Sequence, residues 1–534
     1  MSAAATARRR KKRPASCSSL RKRARRIKNA RKRKRALANL PKRCKPAKST
    51  PPKLPKPSGG TQPSVKPGPV PAGVPAAAAV PVAIEAPKPI DPTEVYTGEF
   101  GVRQAERLLW RAGFGPRPGQ AQALADMGLE AAVLSLTRPT GTAPMDGAAP
   151  TVDGDALDPY GSWGHDHLWW LDRMVRSGQG LVERMTLVFH DWFATSNDGV
   201  GNAKLMLQQN NLFRRYGLGG FDELLTAVTA DPAMLIWLSG IDNRKGAINE
   251  NYGRELMELF TLGADRGAYT EADVRDIARA LTGWRVDWVD GSGWKDTSYF
   301  DSRRFDGTAK TVFGQTGAFG TADALRLVLE HPLHASFFVT KLWSYFIPSP
   351  PSDATRTRLE GLYTSSGRQI RPVLEAILTA PELYAGDRMV KPPVVYTAGL
   401  MRARGKTITS RGWEWMGSLA GQKLFYPPDV SGWDDDRWLD TSTVAGRWWL
   451  ANEALIGGSL QGPAWDSYPN ESADTALAGA LAFWGSPWLT AETRTALRDW
   501  AGGVLPVGAR AYQRAQRQTA LRMLVAMSPD FQTS

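Results

Sequence analysis

Side chains that could do chemistry are concentrated in one stretch, NENYGRELMELFTLG, at residues 249–263. On a helical wheel its polar residues gather within about 140° of arc, and apolar residues fill the rest. We call five of them the polar strip: Glu250, Asn251, Arg254, Glu255 and Glu258. Carboxylates beside an arginine can perform acid–base catalysis when burial separates their pKa values, and the arginine can orient an anion.

The stretch is predicted to be a helix in which Asn249 is the N-cap and Gly263 ends the last turn. Its i,i+4 pairs, Glu250 with Arg254 and Arg254 with Glu258, are typical of a solvated helix face. The wide apolar arc favours the other interpretation, in which most of the helix is buried and the polar strip faces an enclosed polar recess. Both interpretations remain open at this point.

The catalytic candidates are Glu250, Arg254 and Glu258, with His190 as a helper. Asn251 and Glu255 of the polar strip are binding candidates, together with Lys310. The loop DVSGWDDDRW adds Trp433, Asp434 and Trp438, because tryptophans beside acids can grip a sugar ring. Its three consecutive aspartates could hold Ca²⁺, but the spacing is no EF-hand and a solvated acidic turn fits it better.

The chain has five histidines, and their spacing does not favour a metal site. His165 and His167 would diverge on a helix, and Pro332 places His331 at an N-cap with His334 in the first turn. No zincin, Walker or nucleophile-elbow motif occurs. We therefore predict no metal site, and the cofactor is unknown.

Helical periodicity dominates from about residue 93 to the end, so residues 93–534 are predicted to form one large all-α domain. The predicted helices include one over residues 117–137, after a Pro-containing turn, and amphipathic stretches at 203–216 and 321–346. The sequence TEAD at 270 matches the Ser/Thr-x-x-acid capping pattern of a helix start.

Two long excursions rich in aromatic residues and Asp interrupt the predicted domain, at 285–320 and 421–440, and the first could contain a small hairpin. A short sequence pattern recurs at Pro232, Pro381 and Pro529 and predicts a helix–turn boundary at each. A proline is well suited to the first position of a helix.

Residues 1–92 have a different composition. Through residue 90 there are 25 Lys and Arg against the single acid Glu85, whereas the remainder carries 43 basic and 51 acidic residues. Lacking aromatic residues and rich in Pro, this tail is predicted to be disordered. Its residues 8–56 could bind a polyanion such as DNA, RNA, an acidic envelope polymer or anionic lipid, or could be a solvated tether.

The sequence does not settle the compartment. The apolar segment at 74–86 is broken by prolines and lies far behind the basic segment, so a standard signal peptide is not predicted, and no apolar run is long enough for a transmembrane helix. Both cysteines, Cys17 and Cys44, lie in the tail, so the body has no disulfide. An exported or a cytoplasmic location remains open.

The string RKGAINENYGRELMELFTLG, followed by YTEADVRDIARALTGW, resembles the signature of the bacterial domain of unknown function 1800 family. Further segments match in the same order, among them AERLLWRAGFGPRPG, ERMTLVFHDWF, HPLHASFFVTKLWSYFI and LFYPPDVSGWDDDRWLDTST. The resemblance covers about residue 100 to the end. It implies a large helical domain of unestablished biochemistry, often in exported proteins and often encoded beside a sulfatase-like partner protein.

This chain departs from the family pattern at three aromatic positions. The family often reads Trp-His-Asn-His-Phe where residues 189–193 stand, so Trp192 replaces a histidine. The family also often has a histidine where Phe305 stands and sometimes has one where Phe260 stands. If these histidines served a metal or proton-transfer site, this chain has lost much of it.

Three functions follow as hypotheses. The first is an envelope-associated accessory or scaffold protein that acts with a partner and is anchored by its basic tail. The second is a hydrolase or lyase acting on a polymer such as a polysaccharide, which uses the carboxylates of residues 250–258 with His190. The third is a cytoplasmic nucleic-acid-associated protein.

Overall fold

The computed structural model describes residues 95–289, 293–456, 460 and 463–534. These residues are mostly helical, as the periodicity predicts, although three short hairpins depart from an all-α fold. The tail predicted to be disordered, residues 1–92, lies outside the described residues.

The first part of the body is built from short helices joined by brief connections. They are α1 (Val102–Arg111), α2 (Gln120–Met127), α3 (Leu129–Thr137), α4 (His165–Arg176), α5 (Gly180–Trp192), α6 (Asn197–Val200), α7 (Ala203–Tyr216), α8 (Phe221–Thr229), α9 (Pro232–Trp237), α10 (Asn251–Glu255) and α11 (Glu271–Ala280). A π-helix, Leu256–Thr261, continues α10 directly.

The second part of the body is also built mainly from short helices. Its helices are α12 (Thr321–Leu329), α13 (His334–Ser344), α14 (Asp353–Ser365), α15 (Ile370–Leu378), α16 (Pro381–Ala385), α17 (Pro393–Ala403), α18 (Gly412–Leu419), α19 (Thr441–Leu455), α20 (Pro463–Asp466), α21 (Ala473–Phe483), α22 (Ala491–Gly503), α23 (Ala511–Met527) and α24 (Pro529–Gln532).

The strands form three separate antiparallel pairs. β1 (Thr151–Val152) pairs with β2 (Asp155–Ala156), β3 (Trp284–Val289) with β4 (Gly293–Phe300), and β5 (Lys310–Val312) with β6 (Gln315–Gly317). The β3–β4 ladder shifts register between Val286 and Trp288. The excursion at 285–320 therefore contains two hairpins, where the sequence suggested one.

Local signals placed several helix ends correctly. Thr270 caps α11 with a reciprocal capping box, in which Asp273 returns the hydrogen bond. Pro232, Pro381 and Pro529 each occupy the first turn of a helix. A proline loses nothing at that position, since its missing N–H would have had no partner within the helix.

Other helix boundaries differ from the prediction. The stretch after Pro118 was predicted as one helix, but Gly128 adopts a φ of +78° and separates α2 from α3. The amphipathic stretch at 321–346 is likewise two helices, α12 and α13, with Pro332 in the turn between them. Helix α18 was not predicted.

Two hydrophobic clusters fill the described body. The first joins α1–α3, α5, α8 and the π-helix to α11–α16, and the second joins α4 and α7 to α17–α19 and α21–α24. The Trp237 side chain packs against both. The segments that resemble the family motifs thus contribute to both clusters.

Candidate functional site

The polar strip lies at the surface and forms an ion-pair network with the next helix. Arg254 donates from Nη1 and Nη2 to the two carboxylate oxygens of Glu271, at 2.8 and 2.7 Å. Its i,i+4 partner Glu250 lies 3.5 Å away and is also 3.7 Å from Arg275. The side chains of Arg254 and Glu250 are 34% and 36% exposed, so they face partly into solvent and not into an enclosed recess.

The rest of the polar strip extends along the same surface. Asn251 is exposed, and its backbone N–H donates to Asn249 Oδ1 at 3.0 Å. Glu255 is half-buried, and burial together with the nearby Glu258 carboxylate raises its pKa, while Arg254 opposes the rise. The Glu255 carboxyl group therefore takes up a proton more readily than a fully solvated glutamate.

The helix that carries the polar strip continues into the π-helix Leu256–Thr261. Side chains of other helices hydrogen-bond to the last carbonyl groups of this π-helix. Carbonyl groups at a helix C-terminus have no partner within the helix. Lys341 Nζ donates to Leu259 O at 2.9 Å, and Trp192 Nε1 donates to Phe260 O at 3.1 Å. His334 Nδ1 lies 2.9 Å from Thr261 O, which fixes the neutral ring with its proton on Nδ1.

Two of the departures from the family pattern meet at this point. The family resemblance implies histidine at positions 192 and 260, and in this chain Trp192 and Phe260 are joined there by the Trp192 Nε1–Phe260 O hydrogen bond. Phe193 packs on the Phe260 ring, with centroids 5.0 Å apart. This part of the structure is therefore held by aromatic packing and an indole N–H donor. Histidines at the same two positions would add titratable nitrogens.

His190 lies on α5 inside an aromatic cage. Its ring centroid is 5.2 Å from Trp170, 5.6 Å from Phe425 and 5.5 Å from Trp433. Neither ring nitrogen has a hydrogen-bond partner among the described residues, and burial lowers the pKa of His190 to about 3. The imidazole is therefore neutral, and within the described residues no contact joins it to the polar strip.

Asp191, the next residue, is a partly buried hub that was not among the predicted site residues. Its Oδ2 accepts the Tyr345 hydroxyl at 2.8 Å, and its Oδ1 accepts the Trp433 backbone N–H at 2.8 Å. Gly432 adopts a φ of +101°, and a Cβ there would lie 2.9 Å from Asp191 Cγ. The loop DVSGW thus needs its glycine to approach this carboxylate.

Two cations flank the hub without contacting its carboxylate directly. Arg184 is buried, and its Nε and Nη1 have no partner among the described residues. Burial lowers the pKa of Arg184 to about 10 and that of Lys341 to about 8, and in both cases the Asp191 charge opposes the decrease. Burial also raises the pKa of Asp191 itself.

The remaining candidates are dispersed. Lys310 is buried and donates to Asp306 O and Thr308 O at 2.5 and 2.9 Å, and its charged neighbours do not include the polar strip. Trp433 and Trp438 are buried, whereas Asp434 is exposed. Of the predicted candidates, the structure brings together only His190 with Trp433 and the members of the polar strip with each other.

No group of three or more His, Cys, Asp or Glu side chains within the described residues is arranged to hold a metal ion. Nor does the described part of the chain contain a helix with the length and apolar character needed to cross a membrane.

The protein is mostly helical, and its motifs FHDWF, DVSGW and KLWSYF meet around Asp191. These two features define the class of protein to which it belongs. The family described as protein of unknown function (DUF1800) matches residues 107–533, and the chain belongs to that family. No curated protein and no solved structure matches the chain.

Proposed function

We propose that this protein is an envelope-associated accessory or scaffold protein that binds a partner protein through one tryptophan-rich surface. We call this surface the tryptophan face and define it as Trp415 and Leu419 of α18 with Val444, Trp448 and Trp449 of α19. The observation that carries the proposal is the exposure of three tryptophans on two neighbouring helices.

The exposure of the tryptophan face is unusual for a soluble helix pair. The fractions exposed are 46% for Trp415, 42% for Trp448 and 44% for Trp449, and Leu419 and Val444 are exposed beside them. Isolated exposed apolar residues need no explanation, but a contiguous apolar patch marks an interaction site. Tryptophan is also the residue type most enriched among binding hot spots.

The charge pattern of α19 supports the same proposal. Surface helices normally carry charged residues on the side away from the core. On α19 the exposed residues from Thr441 to Trp449 are all uncharged: Thr441, Ser442, Val444, Ala445, Trp448 and Trp449. An uncharged aromatic surface suits a partner whose own contact surface is apolar.

The ring orientations favour a protein over a polysaccharide as the occupant. Trp415 and Trp449 meet at 61° with centroids 6.2 Å apart, and Trp448 and Trp449 meet at 82° with centroids 5.1 Å apart. Rings crossed in this way form projecting edges and not a flat platform on which successive sugar rings could stack. Projecting aromatic side chains are the anchors that fill pockets in protein–protein interfaces.

The family resemblance suggests the partner to test, a sulfatase-like protein encoded nearby. We propose to co-express the two proteins and to measure co-purification for the natural chain and for a Trp448→Glu, Trp449→Glu double variant. The matched control is Trp163→Glu, because Trp163 is 68% exposed but lies outside the tryptophan face. Loss of co-purification in the double variant alone supports the proposal, whereas equal recovery of all three contradicts it.

The basic tail is proposed to anchor the protein to an anionic polymer of the envelope. Its residues 8–56 carry most of the excess positive charge, so binding should weaken steeply as salt rises. Retention on immobilised heparin, compared between the full chain and a chain lacking residues 1–60, tests this part separately. Salt-dependent retention that survives the deletion would show that the tail is not the cause.

The hydrolase alternative receives less support from the geometry. It needs the carboxylates of the polar strip to be available to a substrate, but Glu250 lies between two arginines and Arg254 is held by Glu271. Such a network is the usual arrangement of a stabilised surface. A purified chain that turned over a polymer and lost activity on Glu258→Gln would restore the enzymatic alternative.

A further inference from the structure

We propose that the groove between α13 and α14 is a binding site for a small phosphate monoester with an apolar body. The groove has a volume of about 680 Å³, which is within the usual range for small-molecule sites. It lies on α13 and α14, whereas the tryptophan face lies on α18 and α19, so the two proposals are independent.

The charges that line the groove match a dianion. Three cations, Arg266, Lys341 and Arg356, contribute to its wall, and Glu360 is the one acidic residue among the lining side chains. The net lining charge is therefore +2. A phosphate monoester carries nearly two negative charges at neutral pH.

Two of the cations are held in place before any ligand arrives. Arg266 donates from Nη1 to Leu262 O at 2.9 Å and from Nη2 to Ser336 Oγ at 2.5 Å. Arg356 is oriented by Glu360 at 3.2 Å and by Asp353 at 2.9 Å. Side chains fixed in this way lose little conformational entropy on binding, which favours affinity.

Lys341 supplies the free donors. An ammonium group has three N–H bonds, and the described residues provide one hydrogen-bond acceptor, Leu259 O at 2.9 Å. The Trp192 ring, 4.8 Å from Nζ, covers another side of the group. Asp191 is the nearby carboxylate, but its two oxygens are engaged by Tyr345 and Trp433. A phosphate oxygen would therefore provide Lys341 with its missing acceptor.

The rest of the wall suits an ester and not a free inorganic ion. Leu333 and Phe337 provide apolar surface for a hydrocarbon or aryl group. The hydroxyl group of Thr340 lines the groove beside Lys341 and can donate to a phosphate oxygen, whereas the Ser344 hydroxyl already donates to Lys341 O at 2.9 Å. This combination of apolar wall and few polar groups is typical of ligand sites that fix one end of an amphipathic molecule.

The test uses the full chain, with phenyl phosphate as the probe and benzyl alcohol as its neutral control. We expect phenyl phosphate, but not benzyl alcohol, to protect Lys341 from acetylation by an amine-reactive acetyl ester, measured by mass spectrometry. Exposed Lys295 on the β3–β4 hairpin serves as the internal control and should remain reactive. Because each lysine is read separately, anion binding by the basic tail does not affect the result.

Calorimetry on two variants completes the test. Lys341→Met should weaken phenyl phosphate binding about tenfold, the usual effect of losing one charge-assisted hydrogen bond, and Lys295→Met should leave it unchanged. Both variants retain the basic tail, so any phenyl phosphate bound by the tail contributes equally to the two measurements. Either of two results would overturn the proposal: Lys341 of the natural chain is not protected, or the two variants bind phenyl phosphate with equal affinity. The first result does not depend on whether Lys341→Met folds.

Discussion

The hydroxyl of Tyr345 donates a 2.8 Å hydrogen bond to Asp191 Oδ2, and this contact joins residues 154 positions apart in the sequence. It connects α5 to the turn that follows α13. On the other carboxylate oxygen, the backbone of Trp433 brings in the loop between α18 and α19. One partly buried carboxylate therefore joins three distant segments of the chain.

Replacing Tyr345 with Phe should destabilise the protein by about 1–3 kcal/mol, because the partly buried Asp191 carboxylate would lose a hydrogen bond to a charged acceptor. Urea unfolding measures the change. The matched control is Tyr299→Phe, which removes a hydroxyl-to-carboxylate hydrogen bond of the same 2.8 Å length at an exposed position, to Asp287. That control should leave the unfolding midpoint unchanged, and equal effects of the two substitutions would show that the Tyr345–Asp191 hydrogen bond does not stabilise the fold.

His190 should make the protein less stable in acid. The unfolded chain binds a proton at this histidine below about pH 6.5, whereas the folded protein binds it only below about pH 3. Between these values the unfolded state holds more protons, so the free energy of unfolding falls as the pH falls, by at most about 1.4 kcal/mol per pH unit.

The measurement for His190 is urea unfolding between pH 7 and pH 4. In His190→Leu the stability should fall less steeply with decreasing pH than in the natural chain. His331→Leu is the comparison, because His331 is only partly buried and should change the slope less. An unaltered slope in His190→Leu would mean that this imidazole is solvated in the folded protein.

Removing the Arg254 charge should have a small effect on stability. Its partner Glu271 is 72% exposed, so solvent screens the ion pair, and Arg254→Met should change the free energy of unfolding by less than about 1 kcal/mol. The small effect should diminish further in 1 M salt. A loss of several kcal/mol that salt does not reduce would place Arg254 in a buried site and revive the enclosed recess that the sequence suggested.

Helical periodicity and local capping signals were sufficient to predict much of the fold. The helix predicted at 203–216 is Ala203–Tyr216, and the capping box at Thr270 is present. These features depend on residues within one or two turns of each other, which is the range that a sequence pattern reports. The π-helix could not be predicted in this way, since an amphipathic wheel cannot distinguish it from an α-helix over six residues.

The site was predicted only in part because its contacts are non-local. The polar strip was correctly placed on one helix, but its main partner, Glu271, belongs to the next helix. Asp191 was passed over beside His190, although the glycine of DVSGW was a usable signal of a close backbone approach. Helix α18 was missed because Trp and Gly obscure its period, and with it the tryptophan face was missed.

Gly446 sets the distance between the two helices of the tryptophan face, and this leads to the last prediction. A Cβ at this position of α19 would lie 2.5 Å from the Leu419 carbonyl carbon and 2.7 Å from Ala420 Cα, both backbone atoms that cannot rotate away. Gly446→Ala should therefore force α18 and α19 apart and destabilise the protein by about 1–3 kcal/mol.

The control is Gly361→Ala within α14, where an added Cβ meets nothing within 4 Å. Alanine loses less backbone entropy than glycine in a helix, so this substitution should stabilise the protein by about 0.5–1 kcal/mol. Thermal unfolding should thus shift in opposite directions for the two glycines. If Gly446→Ala also weakens partner binding while Gly361→Ala does not, the spacing of α18 and α19 matters for recognition, whereas stabilisation by both would mean that the two helices are not in close contact.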